Sequence, residues 1–574
     1  MKAITGRSFA VLFVVLLSIS SLTILNVKAE PRTLTVPDDY PTIQEAINNA
    51  NNGDTIFVKS GTYHESISID KSISLIGENP ESTKIIGDYR LNGTIVLIQH
   101  NYAKITGFTL QPSAYSYSRK GIHLLHVTHC NIIDNNFFDN GVGVWLYESS
   151  ENEITGNTIN GSDNGRYGIL AEYSPNNMIS NNQITDNDCG ISLYQSEGNT
   201  LHNNTIKNNN RIGLNIISNN NKITDNIISN QKNGITLYGS NNLLRNNKII
   251  NSTSNFNLDW NLQWDNFNFE NDIDSSNTIN GNPIIYWINK QNEKVPEDIR
   301  DISFLILVNC TNITVENLKL SKNEPNIALI ATTNSTVQNN IFEVAGTGPG
   351  ILLFSSINNK ITNNLVFDGG TCIHLISSSQ NTITKNSIIN STRAIKFEAS
   401  HENIISNNVI SGNKYTAIDL DESNKNKFFY NTISNCEKMA LWFWNHASQN
   451  QFYLNNFINN TKNVEKYITD FQKFPINILN NGSKGNYWSD YTGNDNDGDG
   501  IGDIPYIIEK NNQDNYPLMS PIVIEKPQVP SYTNPTPTPQ PEPSPTTLVL
   551  TLIAIIAFVG VGIFSYRIKT KRRT

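Results

Sequence analysis

Several groups of side chains in this 574-residue chain have types and spacings that could do chemistry. Asp419 and Asp421 stand two apart in a β-branched run, so strand alternation puts both carboxylates on one face, roughly 7 Å apart. Aligning Ile351, Ile373, Ile395, Ile418 and Leu441 as inward positions gives an outward column Leu352, His374, Lys396, Asp419 and Trp442. A second outward column reads Phe354, Ile376, Glu398, Asp421 and Trp444. Asp419, Asp421 and Glu398 are thus candidate catalytic residues, spaced for an inverting glycosidase in which one carboxyl protonates the leaving oxygen and another activates water. Trp442 and Trp444 beside them would be a platform for the apolar face of a sugar. The competing reading is a solvated strand rim, because no His or Arg constellation along the chain completes a site.

Three other groups invite the same question. An outer column earlier in the chain runs Tyr147, Glu172, Tyr194, Ile217, Tyr238, and stacked Tyr147, Tyr194 and Tyr238 could bind glycans or simply pack across strands. Asp495, Asp497, Asp499, the Ile501 carbonyl and Asp503 place oxygens at the alternate positions of a calcium loop. Tyr506 stands where an EF-hand carries its bidentate Glu, so an EF-hand is excluded; a structural calcium clip competes with a solvated acidic turn. His123 and His126 lie close to His100, His129 and Cys130, and imidazole with thiolate suits copper. Isolated surface histidines are the alternative, since His126 and His129 straddle a corner and the chain has only four Met.

The elements that must position these groups follow from an internal repeat. Asn182, Asn204, Asn226 and Asn247 recur at 22, 22 and 21 residues in phrases such as Met178-Ile-Ser-Asn-Asn-Gln-Ile184. Each unit has short β-branched runs and no helical spacing, with Asn and Gly for corners that need a left-handed backbone. Short strands and corners stacked on like coils make an all-β, right-handed parallel β-helix, the hand following the crossover rule. Markers Asn136, Asn157, Asn182, Asn204, Asn226 and Asn247 define a first block, and Asn317, Asn340, Asn364, Asn386, Asn408, Asn431 and Asn456 a second. About 17 rungs at roughly 4.8 Å would give one rod near 80 Å long.

The chain divides accordingly. Residues 1–29 read as a secretory signal peptide, with Lys2 and Arg7, an apolar core and Val27-Lys-Ala29 as the cleavage site. Residues 30–110 hold an N-terminal cap, with an amphipathic helix through Ile43, Ala46, Ile47 and Ala50, and the first coils. The first block occupies 111–250 and the second 306–484. Between them 251–305 breaks the pattern with Trp260, Trp264, Phe267 and Phe269, an aromatic flap along the rod. Residues 485–525 form a C-terminal cap with the acidic loop, and 526–546 a Pro-rich stalk. Residues 547–566 are long and apolar enough for a single transmembrane helix, and the basic tail 567–574 stays cytosolic. The body is then extracytoplasmic and tethered to the membrane. Net charge −9 with no basic stripe argues against nucleic acid as a partner. Five scattered cysteines without a CxxC signal neither a disulfide framework nor zinc, and suit buried fillers.

Gly485-Asn-Tyr-Trp-Ser-Asp-Tyr-Thr-Gly493, the acidic loop, Asp514-Asn-Tyr-Pro-Leu518, Ile279-Asn-Gly-Asn-Pro-Ile-Ile-Tyr-Trp287 and Leu307-Val-Asn-Cys-Thr-Asn-Ile-Thr-Val315 together carry a resemblance. The chain from about Thr33 to Leu518 resembles the NosD-like β-helix proteins, named for a periplasmic copper-accessory protein and widespread in archaeal surface proteins. The resemblance implies the β-helix and raises copper delivery as an activity. Its repeat is shared with polysaccharide lyases and hydrolases, so it does not choose among activities. Arg393-Ala-Ile-Lys396 faintly resembles the Arg-Ile-Lys of polygalacturonases, whose Gly-His-Gly and paired-Asp motifs are absent. The sequence therefore points to non-catalytic binding of polysaccharide or surface glycan. Polysaccharide cleavage and copper binding are the alternatives.

Overall fold

The computed structural model describes residues 30–528 except 88–90, 115–118, 259–268, 297–301, 322–324, 345, 347, 445, 467–474, 510–511 and 526. The expected signal peptide, most of the stalk, the transmembrane segment and the basic tail lie outside these residues, as do Trp260, Trp264 and Phe267. Among the described residues, no helix is long and apolar enough to cross a membrane.

A regular coil has one long strand, such as Ile212–Ile217, and two three-residue strands, such as Lys222–Thr224 and Ile227–Ser229. Alternation turns Leu214, Ile216, Ile223 and Ile228 inward, where all are fully buried. Each such side chain contributes roughly 1.5–3 kcal/mol of transfer free energy. Successive coils pair in parallel, as in Leu214↔Ile235 and Ile223↔Leu244. Gly190 stands within the strand Gln183–Tyr194 because a Cβ there would lie 2.5 Å from Ile206 Cγ2 and 2.6 Å from the Gly213 carbonyl oxygen. The N-terminal helix spans Ile43–Asn49, capped by Thr42, and covers the first coil with Ile43, Ala46 and Ile47.

Corners divide their work between neighbours. Asn181, Asn203, Asp225 and Asn246 take positive φ, and the buried residues after them make the ladder. The Asn204 amide donates to Ile179 O (2.9 Å) and Asn226 Oδ1 (3.0 Å), and its own Oδ1 accepts from Asn182 N and Nδ2. The expected markers are off by one at three places: Asn135 and Asn455, not Asn136 and Asn456, join the ladder, and the third is at Asn317. Leu318 occupies the ladder position beside Asn317.

The largest departure from expectation is at the join. The coils do not form one rod. One 11-stranded sheet runs from Thr33–Val36 to Asp272–Ile273 and stops; separate 7- and 8-stranded sheets begin at Thr314–Glu316 and Lys319–Ser321. The chain reverses through an antiparallel hairpin, Thr278–Ile279 against Asn282–Ile288. Leu305, Leu307, Ile327, Leu329, Ile351 and Leu353 point into the second core. Phe304, Ile306, Val308, Ala328, Ile330 and Leu352, on the outer side of the same strands, belong to the first core. Phe256 in the last long strand of the first solenoid meets Phe304 with ring centres 5.4 Å apart. The second solenoid thus closes the open end of the first with the outside of its long-strand sheet. By strand count the two are about 50 Å and roughly 35 Å long at about 4.8 Å per rung. Of the expected flap, Ser254–Leu258, Asp272–Ile273 and Thr278–Ile279 are coil strands, and Phe269 packs on Phe354 in the junction.

Candidate functional site

The strands Thr371–Ile376, Arg393–Glu398, Thr416–Asp421 and Met439–Phe443 continue the long-strand sheet of the second solenoid beyond the junction. Their register sets Lys396 against Asp419 and Asp419 against Trp442, and sets Glu398 against Asp421. The expected alignment therefore holds for Lys396, Asp419 and Trp442 and for Glu398 with Asp421, while Trp444 follows the end of its strand. A cleft of about 240 Å³ opens on this outer face, lined by Arg393, Lys396, Asp419, Asp421, Trp442 and Trp444.

Asp419 is not part of a solvated rim, since it is only 3% exposed. Its carboxylate accepts a hydrogen bond from Arg393 Nε at 3.1 Å. Burial nevertheless prevails over the Arg393 and Lys396 charges, with Asp421 and Glu398 adding repulsion, and pushes the Asp419 carboxyl up to about 6. Glu398 goes the other way: burial alone would raise it, but His374 and Lys396 outweigh burial and hold it at about 2. His374 Nε2 lies 3.5 Å from Glu398 Oε1, and Lys396 forms an ion pair with the same oxygen. Burial keeps the His374 imidazole below its ordinary range despite that carboxylate. Glu398 therefore holds Lys396 and His374 beside the cleft without lining it, while Asp419 and Asp421 line the cleft.

Two participants escape a column-by-column reading. Tyr415 lies against Trp442 with ring centres 5.1 Å apart, and Trp442 against Trp444 at 4.8 Å. Arg393 and Lys438 stand 5.0 and 4.2 Å from the Tyr415 ring centre. Tyr415 and Lys438 each precede a strand, so the column one residue before the strand start was the signal that could have found them. The Arg absent from the sequence constellation is Arg393, which faces Asp419 from the neighbouring rung. Chemically, the cleft combines an aromatic floor, two cations and two carboxyls, one of which holds its proton at mildly acidic pH.

The other expected groups are placed as follows. Tyr147, Tyr194 and Tyr238 occupy one outer column, aligned through Glu172 and Ile217. Ligand oxygens of Asp495, Asp497 and Asp499 lie within 4.8 Å of one another, a hard-oxygen set that fits calcium. Asp503 turns to accept from Asn496 N and Nδ2, and Ile501 pairs with Leu518.

Among the described residues, copper chemistry finds no matching donor set. His123 stacks on Trp145 at 4.5 Å, and burial holds it down to about 4. His126 Nδ1 and His129 Nε2 each face a different carboxylate, Glu148 and Glu151, at 3.0 Å. All five cysteines are buried, and burial raises every one of these thiols, leaving them unlike the thiolates a soft metal needs. Among the described residues, the acidic trio is the group of three or more His, Cys, Asp or Glu close enough to share an ion.

Comparison with known proteins adds the following. The family model described as periplasmic copper-binding protein (NosD) matches residues 47–231, 160–305, 270–402 and 305–493. No curated protein matches the chain. Among solved structures, it is similar to the DFA-IIIase of Arthrobacter chlorophenolicus, at 14% identity and TM-score 0.36 over 58% of this chain and 93% of that one. The catalytic domain of a GH87 alpha-1,3-glucanase in complex with tetrasaccharides aligns at 13% identity and TM-score 0.34, over 63% of this chain and 65% of that one. An alginate lyase from Paenibacillus aligns at 16% identity and TM-score 0.29, over 54% and 94%.

Proposed function

The chain belongs to the family described as NosD periplasmic copper-binding proteins, and from that premise we propose that it is an extracytoplasmic β-helix whose function is to bind polysaccharide in the cleft of its second solenoid. The observation that carries the reading is the cleft itself: Trp442 and Trp444 form an aromatic wall directly beside Arg393, Lys396, Asp419 and Asp421. Sugars present apolar faces to rings and hydroxyls to charged groups, and the cleft offers both. The apolar segment 547–566 and the leader-like residues 1–29 support a body displayed outside the membrane and tethered to it. Calcium at Asp495, Asp497 and Asp499 would serve as a structural clip, with the Ile501 carbonyl and, once it exchanges its Asn496 hydrogen bonds for the ion, Asp503 as further ligands. Copper delivery is not part of the proposal, because the donor set does not fit.

Binding of the full chain to a glycan array tests this. Trp444→Ala is expected to abolish retention of the glycans held in the cleft while any held elsewhere on the chain stay bound; an array on which Trp444→Ala loses no glycan, or one with no retained glycan at all, overturns the proposal.

A second reading, glycoside hydrolysis, is favoured by the Asp419 carboxyl, which burial pushes up to about 6. Asp419 would protonate the glycosidic oxygen as the bond to the anomeric carbon breaks. Asp421 would take the proton of the attacking water. Release of reducing ends that falls above pH 6 and disappears in Asp421→Asn supports cleavage. No release from any retained glycan leaves binding alone.

A further inference from the structure

We propose that the first solenoid carries a second, independent glycan-docking strip, and that it takes an uncharged polysaccharide lying along the solenoid axis; the inference rests on the reading that this protein binds glycan. Two columns at one corner make the strip. At the ends of the long strands, Tyr147, Glu172 and Tyr194 stack in register. One residue further on, the corner positions His126, Glu148, Tyr173 and Gln195 all take positive φ, and their amides donate along the stack, His126 to Tyr147 O, Glu148 to Glu172 O and Tyr173 to Tyr194 O. Aromatic positions therefore alternate in both columns with polar ones, Glu172 in the first and Glu148 and Gln195 in the second, out of phase.

The rings run continuously across this checkerboard. His126 meets Tyr147 with centres 5.9 Å apart, Tyr147 meets Tyr173 at 6.0 Å, and Tyr173 meets Tyr194 at 5.8 Å, each near perpendicular. Tyr173 is 43% exposed and Tyr194 36%, which is unusual for an aromatic ladder that served packing alone. One rung advances about 4.8 Å, close to the advance of one sugar ring in an extended chain. A polysaccharide aligned with the axis would present a ring to the strip at each rung.

Charge decides the class of glycan. Glu148 and Glu151 are paired with His126 and His129 at 3.0 Å, and Glu172 accepts from the Trp145 indole at 2.8 Å. Lys120, the ammonium near these rings, lies over Trp145 on the strand face, 4.6 Å from the ring centre. Carboxylates set between exposed rings accept sugar hydroxyls and repel uronates or sulfates. The cleft of the second solenoid has Arg393 and Lys396 in its lining, so the two sites differ in the charge they tolerate.

The test is retention of the full chain by insoluble β-1,4-glucan, β-1,3-glucan, galactomannan, chitosan and cross-linked polygalacturonate. Wild type, Trp444→Ala and the double variant Tyr173→Asn, Tyr194→Ser are compared; Asn tolerates the positive φ at 173. The expected result is retention by at least one neutral glycan, unaffected by Trp444→Ala and about tenfold weaker in the double variant. Tyr173→Phe with Tyr194→Phe should keep it, since the rings remain. Loss of neutral-glycan retention in Trp444→Ala alone, or retention only by polygalacturonate, overturns the strip while the proposed function stands. Stronger retention by chitosan than by every neutral glycan overturns the uncharged class. No retention by any of the five overturns the strip, and the glycan array then decides whether the cleft binds glycan.

Discussion

Replacing Asn204 with alanine removes an acceptor for Asn182 N and Nδ2 and a donor to Ile179 O, and leaves those groups buried. Each orphaned buried group costs about 1–3 kcal/mol, so Asn204→Ala should lower stability by roughly 3 kcal/mol, read as a shift in denaturant midpoint. Asn203→Ala, one position earlier and exposed, should cost about 1 kcal/mol through its positive φ. Equal losses at the two positions would contradict the division of work at the corner. Asp419 gives a second residue-scale prediction. Its folded pKa of about 6 lies above the ordinary 3.8, so the folded state holds this proton more tightly than the unfolded one. The carboxyl favours folding at low pH and costs stability as pH rises from 3.8 to about 6, by up to about 3 kcal/mol. Asp419→Asn should remove that part of the slope; a mutant whose midpoints at pH 4 and pH 7 differ as much as those of the wild type would refute it. The alternation that puts Asp419 outward was legible in the sequence. Its burial was not, because burial depends on what the neighbouring rungs lay beside it, Arg393 on one side and Trp442 on the other.

At the scale of elements, the C-terminal cap is an aromatic stack held by one buried carboxylate. Trp488 lies between Phe457 and Tyr506, with ring centres 4.3 and 4.4 Å away. Asp514 accepts from Trp488 Nε1 at 2.9 Å and from Asn486 N at 2.7 Å, tying the last strand to the ladder. The acidic loop joins this cap through the Ile501–Leu518 bridge, so whatever relieves repulsion among Asp495, Asp497 and Asp499 stabilises the end of the second solenoid. Calcium at a hundred times its dissociation constant would add about 2.7 kcal/mol. Addition of calcium to the chelated protein should raise the Tm and slow amide exchange in Tyr506–Glu509; identical melting with and without the ion would show the loop to be a solvated turn. Cap, corner ladder and N-terminal helix could all be read from the sequence because each rests on local chemistry. The one-residue offset at Asn135 and Asn455 could not, since adjacent asparagines leave the register ambiguous until the coils are stacked.

Over the whole molecule, the two solenoids share a packed face that periodicity alone could not reveal, because the repeat resumes at the same spacing after the hairpin. The telling signal was local: Phe304-Leu-Ile-Leu-Val308 does not alternate, and a strand apolar on both sides must be covered on both sides. Phe304 is fully buried against Phe256 although it points out of its own solenoid. Truncating it leaves a cavity at the junction, costing about 3–5 kcal/mol, without touching the inward residues Leu305 and Leu307. The cost should therefore fall unevenly. Amide exchange in Phe304→Ala should quicken first in Asn233–Tyr238 and Ser254–Leu258, whose core end is uncovered. Strands Arg393–Glu398 and Thr416–Asp421, several rungs away, should keep wild-type protection, and the cleft should keep its ligand. Calorimetry should then resolve two transitions in the variant and one in the wild type, because the shared face is what couples the solenoids. A single transition shifted as a whole, with exchange faster by the same factor in every strand, would mean that the two cores unfold as one unit whatever the state of their junction.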